Sequence, residues 1–546
     1  MSADRLQGIY AYLSVVFRAA ILIFQSLVAG GVVFLAVALK AQSGSDFISE
    51  VETAKARCIR LLRISALLLA VSHAGYLFIN CSVLIGSEDL SLSDIFGANF
   101  VIAAFIGIGS AWIIAQFALF FQRRIWPLIM LTILALSSSV MTNHASARMD
   151  GRIWLVPVTA LHVAAAAAWI GGLPYLWTAV AAARAEIASS FAKRFSYIAT
   201  ASVAILAASG FAATLKYVDS AAGIYGTSYG VMLGAKVFLF AMLLLLGAVN
   251  HEAIRKLPAI NLVPRLKRCV EAEIMIGITA LLAAASLTSQ PPAVDLKNDR
   301  ASLSAIFERL RPTWPRLKTP DLKDISPATR HLSDKAGIVG TSSGEPAIGT
   351  AIATPNTPAD IAWSEYNHNW VGLMILAIGV LALLSRSTNM RLARHWPLIF
   401  LVLAVFIFVR ADPENWPLGP NGFWESFDQI EVVQHRAAAL MVVAFALFEW
   451  RVQKQRTRSP IAPLIFPAVC ILGGALLLTH THALQNSKDQ VLAELSHTPL
   501  ALLAVVAGCM RWLELRLPRN EVWIPAKIWP VCFMLIGALL LTYKEG

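Results

Sequence analysis

Long apolar runs alternate with short polar connections along most of the chain. Fourteen runs, at 11–39, 60–85, 98–121, 125–143, 153–181, 195–215, 230–251, 269–289, 368–385, 395–410, 433–450, 461–482, 497–514 and 526–543, predict membrane-crossing helices. About 20 apolar residues rising 1.5 Å each cover a hydrocarbon core of roughly 30 Å. The runs at 125–143 and 395–410 are short and call for tilt or local thinning of the bilayer. One long hydrophilic stretch, 290–366, holds nine of the 25 prolines and a Ser/Thr/Gly-rich part at Gly337–Thr357. It reads as a linker between an eight-span domain at 1–289 and a six-span domain at 367–546, in an all-α polytopic bundle. Within it SLSAIFERLRPTWPRL places Ile306, Phe307, Leu310 and Trp314 for contact with a membrane surface.

Composition agrees with this pattern. Hydrophobic residues make up 57% and charged residues 14%, with a mean hydropathy of +0.64, which excludes an ordinary soluble protein. The net charge of +12 does not point to nucleic acid, because Lys and Arg sit in short clusters between apolar runs. Odd-numbered connections are basic and short even-numbered ones carry few cations, which predicts that the odd-numbered connections are cytoplasmic and that both termini and the 290–366 linker lie on the outer side of the membrane. Arg18 interrupts the first run, and Ala19–Leu39 is too long for a signal-peptide core, so it is expected to remain as a helix. The six cysteines form no C-x-x-C pair, hence no disulfide framework or zinc site. Without a phosphate-binding loop or any other sign of ATPase chemistry, an ATP-driven pump is excluded and no enzymatic activity is expected.

On that topology the histidines separate by side. His144, His162, His368, His435, His480, His482 and His497 fall at or near outer ends of runs, His331 lies in an outer loop, and His73 sits near the middle of its helix. His251 and His395 fall on the inner side. Between Met141 and Leu176 the chain brings Met141, His144 and Met149 around one outer loop and places His162 two turns inside the next helix. Thioether and imidazole together suit copper, Cu(I) above all. His162, Ala165, Ala166 and Trp169 share one helical face, and Gly171 and Gly172 extend it, so another helix is expected to pack closely there. Pro174 is expected to bend the helix below.

The order of a His-Ala pair at His144, a loop, His162, an alanine run and Trp-Ile-Gly-Gly-Leu resembles the copper resistance D family of bacterial inner-membrane proteins. Asn143 stands where that pattern has glycine. The resemblance continues through RFSYIATASVAILAASG, YGVMLGAKVFLFAMLLLLGAVN and VEAEIMIGITALLAAASLTSQPP, and reaches extended family members at QIEVVQHRAAALMVVAFALFEW and GGALLLTHTHALQNSKDQ. It implies copper handling, with proposed uptake from periplasm to cytoplasm. Lys236 and Glu271, with Glu273, match charged positions that recur in its motif.

The second half carries further candidate ligands. His480, His482 and His497 flank one short outer loop, although residues two apart on a helix point about 200° apart. Glu431 and His435 share a face, one turn after Asp428. Imidazoles on adjacent helices also admit haem b, which would make the chain an electron-transfer module. A third reading is a membrane docking partner for a periplasmic copper chaperone.

Overall fold

A computed structural model describes residues 3–39, 48–87, 95–120, 124–255, 262–321, 358–387, 390, 392–413, 415–428, 430–456, 459–480 and 488–545. The described residues are helical with no β-strand, and twelve helices among them are long and apolar enough to cross a membrane. The architecture is the expected all-α polytopic bundle. Two compact units are present: one comprises 1–303, 470–505 and 512–522, the other 304–469, 506–511 and 523–546.

In the first unit, α1 (Ala3–Val33), prolonged by a π-helical turn at Phe34–Ala38, runs beside α2 (Ile48–Ser87) and the shorter α4 (Trp126–Met141), and α3 (Asn99–Phe117) packs on α2 and α4. After the single turn α5 (His144–Ala147) come α6 (Arg152–Trp169), α7 (Leu173–Ala182), α8 (Ala185–Tyr217), α9 (Ala221–Tyr225), α10 (Ser228–Arg255) and α11 (Leu262–Leu287). The run at 153–181 breaks at 170–172, and Pro174 opens α7 instead of bending a continuous helix. Its missing N–H is harmless in a first turn. The small-residue surface expected at Gly171–Gly172 meets α1. A methyl group on Gly30 would collide with the Gly171 and Gly172 backbone, and one on Gly171 with the Ser26 carbonyl. Two backbones approach this closely only where both lack Cβ.

A polar clamp on α11 closes the unit. Glu271 accepts from Trp177 at 3.2 Å, from Trp512 at 2.8 Å and from Arg516 at 2.6 and 3.0 Å. Trp512 and Arg516 belong to α17 (Lys488–Arg516), so the last part of the chain supplies the counter-ion for a family-like segment. Glu273, two residues on, points elsewhere and accepts from Asn250 of α10 at 2.8 Å.

The second unit contains α12 (Leu303–Leu310), α13 (Pro358–Ser387), α14 (Ile399–Arg410), α15 (Ile430–Gln453) and α18 (Trp523–Leu541); α16 (Ile465–His480) starts in it. Gly372 and Gly379 of α13 lie against the backbone of α18. Trp396, Phe466, Trp529 and Phe533 form an aromatic core, with ring centroids 5.3 Å apart for Trp396 and Phe466. The first part of the 290–366 stretch is held by side-chain contacts. Asp295 pairs with Arg148 and Arg300 with Asp219 in the first unit, while Arg309 meets Tyr543 and the Glu545 carbonyl, and Glu308 meets Lys544, in the second. Phe307 and Trp314 are exposed and Ile306 is buried. Residues 322–357, including His331, lie outside the described residues.

The span pattern differs in detail from the fourteen expected runs. The 125–143 run is a 16-residue helix, and 395–410 is met by a helical stretch from Leu392 to Arg410 that opens as a 3-10 turn around Pro397. Glu271→Ala should lower unfolding stability in detergent by about 3 kcal/mol, the scale for breaking a buried pair, reduced by the 38% exposure of Arg516. Thermal melts unchanged by the substitution would remove the clamp from the fold's supports.

Candidate metal centre

One corner of the first unit gathers polar groups from several helices. Arg18 of α1, His73 of α2, Ser138 and Ser139 of α4, and Thr142 and Asn143 beyond it line a cavity of about 50 Å3. About 10–15 Å3 of such space holds one water, so there is room for a few waters or an ion. His73 is buried, and its Nε2 has no hydrogen-bond partner. A Cβ on Gly107 would collide with the ring, so glycine at 107 makes room for the imidazole in the α2–α3 contact. Arg18 donates to the Thr142 carbonyl at 3.1 Å, at the negative end of the α4 dipole.

His144 follows at the start of α5. Burial holds its imidazole below the ordinary 6.5, Arg18 adds to that effect, and a hydrogen bond to the Gln290 backbone opposes it. Its Nε2 is buried without a partner. The backbone bond therefore engages Nδ1–H, and Nε2 carries the lone pair. Gln290 also donates through Nε2 to Glu494 of α17 at 3.4 Å, so His144 and the helix bearing His497 belong to one corner of the same unit.

The same tautomer recurs. Ser209 donates its single hydroxyl hydrogen to the Ile205 carbonyl at 2.6 Å, so the 3.0 Å contact with His162 must run from Nδ1–H to Ser209 Oγ. His497 donates from Nδ1 to the Ala493 carbonyl at 2.7 Å, His368 to the Ser364 carbonyl at 2.8 Å, and His435 to the Asp412 carboxylate at 2.8 Å. In each the Nδ1 side of the ring is held by a second group, the kind of contact that orients a metal-binding imidazole. His395 has the reverse arrangement: Trp450 Nε1–H donates to its Nδ1 at 2.9 Å. His251 lies at an exposed position beside Ser196.

Other candidates are placed as follows. Met141 is half-buried at the end of α4, whereas Met149 is 93% exposed. Trp169 is buried edge-on against Phe240. Lys236 lies close enough to act electrostatically on His162, while Glu271 is held by Arg516 and Glu273 by Asn250. The side chains of Glu431 and His480, and all of His482, lie outside the described residues. Among the described residues no three His, Cys, Asp or Glu side chains gather as a metal-binding group. His73, His144 and His162 do not form such a group. Sequence reasoning missed Ser209, Gln290 and Gln25, because hydroxyl and amide residues in apolar helices carry no spacing signal.

Comparison with known proteins places this geometry. Residues 189–287 match the family model described as Copper resistance protein D, and over this segment the chain is copper resistance D-like. The Copper transport protein CutJ of Bacillus subtilis (strain 168) is 29% identical over 160 residues, which cover 29% of this chain and 29% of that protein. No solved structure matches. The family segment contains Ser209, Lys236, Asn250, Glu271 and Glu273, while His73, His144 and His162 lie outside it.

Because the folded state holds His144 below its ordinary value, the unfolded chain binds the extra proton as pH falls. The stabilisation is complete above about pH 6.5, and it is lost as pH drops from there through the lower folded value. Melting temperature in detergent should fall less steeply from pH 7.5 to pH 5 in His144→Gln than in the parent; parallel profiles would mean that His144 titrates as an exposed imidazole.

Proposed function

We propose that this chain handles copper in a bacterial inner membrane as a non-enzymatic transporter, taking it from the periplasmic side toward the cytoplasm. The observation that carries this reading is that His162 and His497 each have Nδ1 held by a hydrogen bond, to Ser209 and to the Ala493 carbonyl, next to a copper resistance D-like segment. His144, with Met141, receives the ion, and His73 and His162 offer deeper imidazoles on α2 and α6. His435, His480, His482, His497 and Glu431 supply capture positions from the second half. Trp169 and Lys236 shape the helix surfaces around His162, and Glu271 keeps α11 in place. Both termini and the 290–366 segment lie outside in this reading, because basic connections favour the cytoplasmic side.

The 93% exposure of Met149 beside His144 favours delivery by a periplasmic copper chaperone, since a solvent-facing thioether is available for ligand exchange between proteins. Copper fits imidazole and thioether ligands; haem b finds no support in the comparisons.

Cells expressing the chain should accumulate more copper than controls, and the His73→Ala/His144→Ala pair should remove the gain while leaving the protein in the membrane. Ser209→Ala, which frees the His162 ring, should weaken copper retention by the purified protein roughly tenfold or more. Lower cellular copper on expression would reverse the direction, and a Soret band in the purified protein without bound copper would replace copper by haem.

A further inference from the structure

The copper reading leaves Glu273 unused. It sits inside the apolar span Val263–Leu287 and is 3% exposed, a placement that is costly unless the group has work to do. Its carboxyl lies on the face of α10 formed by Gly247 and Asn250. A Cβ on Gly247 would stand 3.8 Å from Oε1, and Asn250, 5% exposed, donates to the same oxygen from Nδ2 at 2.8 Å. The other side-chain atom of Asn250, its carbonyl oxygen Oδ1, is buried and receives no hydrogen bond. The pair is one hydrogen short.

Among the described residues no cation compensates this carboxyl. The titratable side chain it acts on is Cys269, one turn earlier on α11, where Arg265 and Arg268 also act; Arg265 pairs with Glu521, and Glu271 with Arg516. On α10, Lys236 precedes Asn250 by 14 positions, about 21 Å along the helix. Further on, Glu252 pairs with Arg255, and His251 meets Ser196 of α8. The other helices packed against α11 bring Arg194 of α8, which reaches the Ala38 carbonyl, and Arg18 of α1, which reaches Thr142, while α7 has no charged residue. An ionised carboxylate withdrawn from water without a cation costs far more than a neutral acid whose hydrogen bonds are made.

We propose that Glu273 and Asn250 form a proton site coupled to copper passage, in which the acid proton on Oε2 is donated to Asn250 Oδ1 while Oε1 accepts from Nδ2. One proton then satisfies both groups. Asn250 adjoins the exposed His251 and lies two residues before the exposed Glu252, so the site is within a turn of an aqueous helix end to which the proton departs. The coupling rests on the copper reading. A cation beside a carboxyl favours its ionised form, so Cu(I) passing α10 and α11 expels the proton, and its departure readmits one. One positive charge leaves the bundle as another arrives.

Infrared spectra of the purified, copper-free, full-length protein test the site. The parent should show the carbonyl stretch of a protonated carboxyl, shifted in D2O, that Glu273→Gln removes; glutamine can make both hydrogen bonds to Asn250, so the fold is kept. Asn250→Leu should shift the same band. Parent and Glu273→Gln spectra that do not differ in the carboxylic-acid region overturn the proposal. Proteoliposomes, with the membrane potential clamped by potassium and valinomycin, test the coupling. Cu(I) entry into vesicles of the parent should move protons outward, as read by a pH dye, and Glu273→Gln should move none. Copper entry without proton movement in the parent, or equal proton movement in both proteins, overturns the coupling. No copper entry at all, with the infrared band in place, sinks the copper reading and leaves the proton site.

Discussion

The first unit depends on the contact between Gly30 of α1 and the turn at Gly171 and Gly172, where no side chain separates the two backbones. In lipid, helices gain little from hiding apolar surface from one another, so close van der Waals fit carries much of their association. That fit lets α1 run centrally beside α2, α4, α6 and α11. It also places Arg18 and Gln25, on one face of the same helix, beside α4 and the cavity that His73 enters from α2. A bulkier residue at either glycine would push α1 away and open the polar corner it helps to build.

Polar groups within the bundle follow a second constraint, because a charge withdrawn from water needs partners of its own. Glu271 meets it fully, with an arginine and two indoles. Glu273 has an amide. The corner around His73 and Arg18 meets it least, since His73 Nε2 has no partner. The histidine tautomers add direction to this picture, since each bond to Nδ1 sets which nitrogen faces outward.

Much of the architecture was legible in the sequence because run length and hydropathy depend on local composition. The small-residue face at Gly171–Gly172 was legible too, but its partner was not: Gly30 lies in a helix whose own pattern contains no sign of which neighbour it meets. Pro174 signalled a disturbance, yet the chain breaks before it, since a proline is tolerated at a helix start and a Gly-Gly pair yields more easily. Glu271 was recognisable as costly in lipid, whereas its counter-ion could not be read, being 245 positions away. The candidate histidines stood out by residue type. Their orienting partners, Ser209 and the Ala493 and Gln290 backbones, became visible only when helices were placed side by side, because a carbonyl or a serine has no distinctive pattern along a chain.

The Glu271 clamp has a consequence for biogenesis. The ribosome releases α11 long before it makes Arg516, and at roughly 5–20 residues per second the 245 intervening positions take about 12–50 s. During that interval the carboxylate has Trp177 as the one clamp donor already synthesised, so the nascent unit either protonates Glu271 or keeps that end of α11 near water. Closure of the family-like segment is therefore a late event in synthesis, and a chain halted before residue 512 would present quality-control proteases with an unfinished helix surface however well its earlier spans had inserted.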